Sequence, residues 1–197
     1  MGCGPAESIK NIFSKKLLTS IKYIGVDISR QMLKYAKKNI PTGEYVCGDI
    51  ETIQFPNNYA DVIISLGALH HSIHQVNTLK NWSNILKANG YLLLREPTYE
   101  ALKKGQGESP MEEGVKWKVL SKFLNDNGYE ILSVVFFSSK AFHFFDKVMI
   151  KIGFGGWKYI KLLWYPVQIL DVFFIKLLHA NFSIFRGLAF TLVAQKK

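Results

Sequence analysis

MGCGPAES, residues 1–8, is the stretch on which the reading of the fold turns. A Gly-x-Gly turn of this kind ordinarily leaves a buried strand, where glycine lets the backbone bend sharply and come close to a ligand. Residues from Glu7 to about Leu18 then set Ile9, Ile12, Phe13 and Leu17 at helical spacing, so the turn opens a helix. The strand that should feed the turn has no counterpart before Gly2.

Further along, IKYIGVDIS (21–29) is a short β-branched run ending near Asp27, and Ser29 caps a second helix, SRQMLKYAKKN. GEYVCGDI and ADVIISLG read as two more strands, with the turn-rich FPNNYA between them. TLKNWSNILKANG is an amphipathic helix expected to stop at a glycine cap, and YLLLREP is a buried strand closed by proline. A helix in GVKWKVLSKFLNDNG leads into the strand YEILSVVFFSS, and RGLAFTLVAQKK is expected beside that strand, antiparallel to it. Alternating strands and helices predict an α/β fold, a Rossmann-like, doubly wound, mostly parallel sheet with an antiparallel last strand. Residues 1–140 and 186–197 would form this domain, and 141–185 an apolar helical insert before the last strand.

The chain of 197 residues carries a formal charge of +10, most of it after residue 100, which favours an anionic neighbour. Cys3 and Cys47 are too few for a disulfide scaffold and fit a reducing compartment. The first twenty residues lack the basic-then-apolar order of a signal peptide, so the expected location is the cytoplasm.

In a doubly wound sheet the ligand lies at the carboxyl ends of the strands. The glycine loop, Asp27, Asp49 and the residues after Ile64 all fall at such ends. Taken singly, the loop is an ordinary tight turn and Asp27 a helix-capping aspartate. Together they suit one ligand. Glu7, at the sixth position from Gly2, is a poor neighbour for a pyrophosphate but not for a cationic centre. Asp27 can accept from both hydroxyls of a ribose, and Asp49 from the amino group of adenine while Ile50 packs on the ring. An adenosine without phosphates fits this pattern.

GCGPA, IGVDIS followed by QML, CGDIETIQFPNNYADVIIS, LGALHH and NILKANGYLLLREP resemble, in order and spacing, the motifs of class I S-adenosylmethionine-dependent methyltransferases of the small-molecule type, with a methyltransferase type 11-like domain. The resemblance covers about residues 1–98. It implies S-adenosylmethionine as cofactor, with Gly2, Cys3 and Gly4 beside its amino acid part, Asp27 on the ribose and Ile28 against the adenine. Asp49 and Ile50 would hold the adenine from the other side, and Ser65, Leu66 and Gly67 would line the methionine end. Ala6 replaces a usual glycine, which is tolerable at negative φ. The family places a strand and an acidic residue just before the first glycine, at the centre of the sheet. The expectation is therefore that the first strand is missing and that the chain is an N-terminally truncated fragment. Transfer from a sulfonium needs an aligned nucleophile and, for oxygen or carbon, a base. His71, Glu96 and His70 are the candidate catalytic bases. HHSIH (70–74) lacks the carboxylate or cysteine partners of a zinc site, and no metal is expected.

Residues 141–185 decide the acceptor. The run Leu162–Leu178 is interrupted by Pro166, Asp171 and Lys176, against a membrane span, yet Val167, Leu170, Phe173, Phe174, Leu177 and Leu178 share one helical face. Trp157, Trp164 and Tyr165 suit a headgroup level, and Lys147, Lys151, Lys158 and Lys161 suit anionic lipid. A helical cap over the sheet is the plain alternative. The leading expectation is a methyltransferase for a small lipophilic, lipid-like acceptor, with peripheral membrane contact through 141–185. The alternative is a non-catalytic membrane-associated module with a degenerate cofactor fold. Signatures of base methylation are absent, so no nucleic acid partner is expected.

Overall fold

The computed structural model describes residues 1–103, 112–139 and 187–197. The insert expected at 141–185 lies outside the described residues. In chain order the elements are α1 (Glu7–Ile12), α2 (Lys15–Ser20), β1 (Ile24–Asp27), α3 (Arg30–Asn39), β2 (Glu44–Cys47), β3 (Ala60–Leu66), a 3-10 turn (Leu69–His71), α4 (Gln75–Ile85), β4 (Leu86–Pro97), α5 (Trp117–Asp126), β5 (Tyr129–Ser139) and β6 (Gly187–Lys196).

Two boundaries differ from the sequence reading, each for a local reason. The single helix expected from Glu7 to Leu18 is broken at Phe13, which is extended, and Ser14 restarts it as an N-cap accepting from the Leu17 amide at 3.2 Å. The helix expected to run to a cap at Gly90 ends at Ile85. Leu86, fully buried, already pairs with Ala60 of β3, so strand pairing takes the chain out of the helix before the glycine is reached. Ser29 does cap α3, its hydroxyl accepting from the Met32 amide.

β1 and β2 pair in parallel, as do β3 and β4, and β6 lies between β4 and β5, antiparallel to both. The α/β, Rossmann-like fold with an antiparallel last strand is thus realised as two sheets. Among the described residues no strand pairs with the outer edge of β1 or of β3. The main core lies around the four-stranded sheet and includes Trp82, Leu92, Leu94, Leu120, Phe190 and Leu192. A smaller cluster of Ala6, Ile9, Leu18, Ala36 and Ile40 packs α1, α2 and α3 on the first sheet. No helix among the described residues is long and apolar enough to cross a membrane.

Candidate active site

The carboxyl ends of β1, β2, β3 and β4 deliver nearly every residue singled out in the sequence. At the first of these ends the loop Gly2–Gly4 takes left-handed backbone at Gly2 (φ +61°) and Gly4 (φ +51°), which glycine adopts without a Cβ penalty. A Cβ on Gly2 would fall 2.3 Å from that of Ala68, so the loop runs hard against the chain leaving β3. The Cys3 amide donates to the Val26 carbonyl at 2.8 Å, and the Gly4 amide to Asp27 Oδ2 at 2.7 Å. Ala6 departs from expectation, because its φ is +58°. Left-handed backbone costs a non-glycine residue roughly 1–2 kcal/mol. Its methyl is buried in the smaller core, which returns about 0.8 kcal/mol of that strain.

Asp27 holds the loop and the next helix at once, since its Oδ1 accepts from the Ser29 amide at 2.9 Å. A carboxylate has about four acceptor sites, so two remain for hydroxyls of a ligand. Ile28 beside it is 73% exposed, a large apolar side chain left mostly uncovered at this strand end. Asp49 follows β2, one strand over, its Oδ1 accepting from the Glu51 amide at 2.8 Å. Asp27 is paired in register with Cys47, which sets Asp49 just past the same rung. Ile50 packs on the main core and its carbonyl accepts from Trp82 Nε1, so its place is fixed by the interior.

Cys3 is not a reactive thiol. Burial, and then the nearby Asp27 charge, push its pKa up to about 11. At pH 8 only about one molecule in a thousand carries the thiolate there. Alkylation by iodoacetamide is expected to modify the exposed Cys47 first, with Cys3 labelling at least tenfold more slowly until the chain is unfolded. Peptide mass mapping over time reads both sites, and equal rates would contradict the burial described.

The strand ends of β3 and β4 are joined by one carboxylate. Glu96 is 1% exposed, and its Oε1 accepts from Ser65 Oγ (2.9 Å), the Ala68 amide (3.1 Å) and the Leu69 amide (3.0 Å). Its Oε2 faces the His70 amide (3.4 Å) and His70 Nδ1 (3.0 Å). Ser65, Leu66 and Gly67 therefore leave β3 in a turn clamped from within. Glu96, a candidate base in the sequence, is thus occupied by contacts from the turn after β3 and from His70. His70 and His71 stack with ring centroids 4.0 Å apart. His71 is half-exposed and its Nδ1 lies 2.8 Å from Glu112 Oε1. A third pair joins His74 Nδ1 to Glu51 Oε1 at 2.6 Å, and Ser72 Oγ donates to the other oxygen of Glu51.

Glu112 and Glu51 were missed by the sequence reading. Glu112 stands with Glu113 just before α5, where an acid pair looks like an ordinary helix-start acid. Its partnership spans 41 residues and has no local signature.

Residues 1–94 match the family described as the methyltransferase domain. A curated relative, the phthiotriol/phenolphthiotriol dimycocerosates methyltransferase 1 of Mycobacterium ulcerans, is 30% identical over 80 residues, which are 40% of this chain and 30% of that protein. An uncharacterised 37.1 kDa protein of transposon TN4556 from Streptomyces fradiae is 28% identical over 105 residues, 52% of this chain and 30% of its own length. The chain thus aligns with under a third of the length of each. Solved structures of the same fold include an S-adenosylmethionine-dependent methyltransferase from Mesorhizobium loti (TM-score 0.63, 15% identity, 99% of this chain and 88% of that one). Another is from Archaeoglobus fulgidus (TM-score 0.61, 16% identity, 99% and 83%). The [4+2]-cyclase SpnF is as similar (TM-score 0.62, 15% identity, 99% and 73%), so the fold by itself does not name the reaction.

Proposed function

We propose that the chain is a class I S-adenosylmethionine-dependent methyltransferase that moves the cofactor's methyl group to a small lipophilic acceptor, a reading supported by the match of residues 1–94 to the methyltransferase domain and by the shared fold. The observation that carries the cofactor assignment is the trio of Asp27, the uncovered Ile28 and Asp49 around a left-handed glycine loop. These residues fit an adenosine. Asp27 would accept from the ribose, Ile28 and Ile50 would flank the adenine, and Gly2, Cys3 and Gly4 would admit the amino acid part by close backbone approach. Bound there, the cofactor supplies a methyl group already electrophilic on a sulfonium.

What remains for the protein is alignment and proton removal. His71 is the proposed base. With the proton of Nδ1 directed at Glu112, Nε2 carries the free lone pair and takes the proton that the acceptor's nucleophilic atom loses as its bond to the methyl forms. His70 is oriented in the same manner by Glu96, and its ring stacks against that of His71. The lipophilic acceptor is supported by the apolar, lysine-flanked composition of residues 141–185, which we propose meets lipid, and by the similarity to a protein named for dimycocerosate substrates.

The test is titration of S-adenosylhomocysteine, followed by transfer of a labelled methyl group into organic-extractable or aqueous acceptor pools. Binding with label in the organic phase is expected, and absence of binding to folded protein would overturn the reading. His71→Ala is expected to lower kcat about 100-fold or more while leaving S-adenosylhomocysteine binding unchanged. Glu112→Gln should lower it less, about tenfold, and shift the pH–rate profile, because it acts through the histidine. Unchanged turnover in both variants would remove the base role.

A further inference from the structure

The loop after β2, residues 49–53, is fastened to α4 and to the histidine segment that leads into it. Three of its carbonyls are met by α4 side chains, Ile50 by Trp82 Nε1 at 2.9 Å, Ile53 and Glu51 by Asn81 Nδ2 at 2.8 and 3.4 Å. The fourth tie is a side chain. Glu51 Oε1 accepts from His74 Nδ1 at 2.6 Å and Oε2 from Ser72 Oγ at 3.1 Å, with the His74 amide 3.5 Å from Oε2. An ionised carboxylate only accepts, so the proton of this pair sits on Nδ1 of His74. An exposed ion pair alone contributes little, and the His74 side chain is 62% exposed. The other oxygen of Glu51 meets firmer ground. Ser72 is buried, its hydroxyl also lies 2.6 Å from Thr78 Oγ1, and its amide closes the turn after β3 on the Leu69 carbonyl at 3.0 Å. Glu51 touches the cofactor side as well, because its own amide donates to Asp49 Oδ1 at 2.8 Å. The residue that aims the Asp49 carboxylate is therefore bonded through its side chain to the residue directly after His71.

We propose that Glu51 is a positioning residue for the methyl transfer, which aims Asp49 at the adenine amino group and holds the segment carrying His71 through the same carboxylate. The inference rests on the cofactor reading above and adds to it a link between the two halves of the site. The competing account is a loop that holds its own shape. The amides of Thr52 and Ile53 do reach the Asp49 carbonyl, at 3.2 and 2.8 Å. A single hydrogen-bonded turn is far below the length at which such structure supports itself, so the ties to α4 and to residues 72–74 are what hold it. The α4 ties act on carbonyls and leave the Glu51 side chain free to swing. Only the bonds to Ser72 and His74 fix the rotation of that residue, and with it the direction of the amide that meets Asp49. Loosening the Glu51 carboxylate thus reaches both the adenine and, through Ser72, the base.

The test uses the full chain. Glu51→Gln offers one oxygen where the donors now meet two, and is expected to weaken S-adenosylhomocysteine binding and to lower kcat, each about tenfold. General loosening of the fold would do the same, so two selective readouts decide. S-inosylhomocysteine carries a carbonyl oxygen where adenine carries its amino group, and the wild type is expected to prefer S-adenosylhomocysteine to it. Glu51→Gln should lose most of that preference. In a double-variant cycle, Asp49→Asn and Glu51→Gln are expected to weaken S-adenosylhomocysteine binding non-additively, since one acts through the other. An undiminished preference or additive losses would overturn the positioning role. A third readout needs no cofactor. Exchange of the Glu51 amide hydrogen is expected to quicken about tenfold in the Ser72→Ala/His74→Ala variant relative to the buried Leu94 amide, and an unchanged ratio would overturn the tie. Absence of S-adenosylhomocysteine binding to folded wild type would overturn the cofactor reading and the aim of Asp49 with it, while the exchange ratio still decides whether Glu51 holds the loop.

Discussion

Glu96→Ala is expected to lower stability by about 3–5 kcal/mol, the largest loss for any single side chain of the candidate site. The reason is the number of donors the carboxylate serves, from Ser65 Oγ, the amides of Ala68, Leu69 and His70, and His70 Nδ1. Removing an acceptor from a buried donor costs roughly 1–3 kcal/mol each, and water entering the space left by the side chain recovers part of the total. In a chain of this size a kilocalorie moves Tm by about 2–4 °C, so a fall of about 6–20 °C should appear in a thermal scan. Glu96→Gln is expected to fall between, since its amide oxygen can still serve one group of donors while its NH2 opposes the other. A change below about 1 kcal/mol in the alanine variant would mean that the turn after β3 is held by something else.

The second large effect concerns Asp27, and it separates binding from folding. Asp27→Asn keeps the size of the side chain and one oxygen for the Gly4 or Ser29 amide, so the fold should survive with a loss of about 1–3 kcal/mol. Bonds from two ligand hydroxyls to an ionised acceptor are worth roughly 1.5–3 kcal/mol each, and the amide retains only part of that. Affinity for S-adenosylhomocysteine is therefore expected to drop about 100-fold, with Asp27→Ala at least as poor. Calorimetric titration beside a melting curve reads both quantities. Near-normal affinity in folded Asp27→Asn would remove Asp27 from the ribose.

These two carboxylates also show what was legible in the sequence. Asp27 was readable because one partner, the Ser29 amide, is two residues ahead and because the alternation of elements fixes its strand-end position, although the Gly4 amide it also holds is 23 residues away. Glu96 was readable as an acid at a strand end, but not as a clamp. Its partners lie 26 to 31 residues away and are mostly backbone amides, which leave no trace in residue identity. Glu112 is the harder case, because its histidine is 41 residues distant and its own surroundings look like a helix start. The cap at Ser29 and the antiparallel pairing of β6 with β5 were foreseen from pattern. The early end of α4 was not, since Leu86 is taken from the helix by pairing with Ala60, a tertiary event that overrides the glycine signal.

The position of β6 bears on how the molecule reaches this state. Leu92 of β4 is paired with Ala194 of β6, and among the described residues β5 pairs in the sheet only with β6. On a ribosome, β3 and β4 emerge and pair long before β6 exists, and until it arrives β4 presents a bare apolar edge while β5 has nowhere to dock. Contacts that close loops this long are slow to form and leave nascent chains open to misassociation. The closing of the sheet thus waits for β6, and the interval before it is when a chaperone has most to protect.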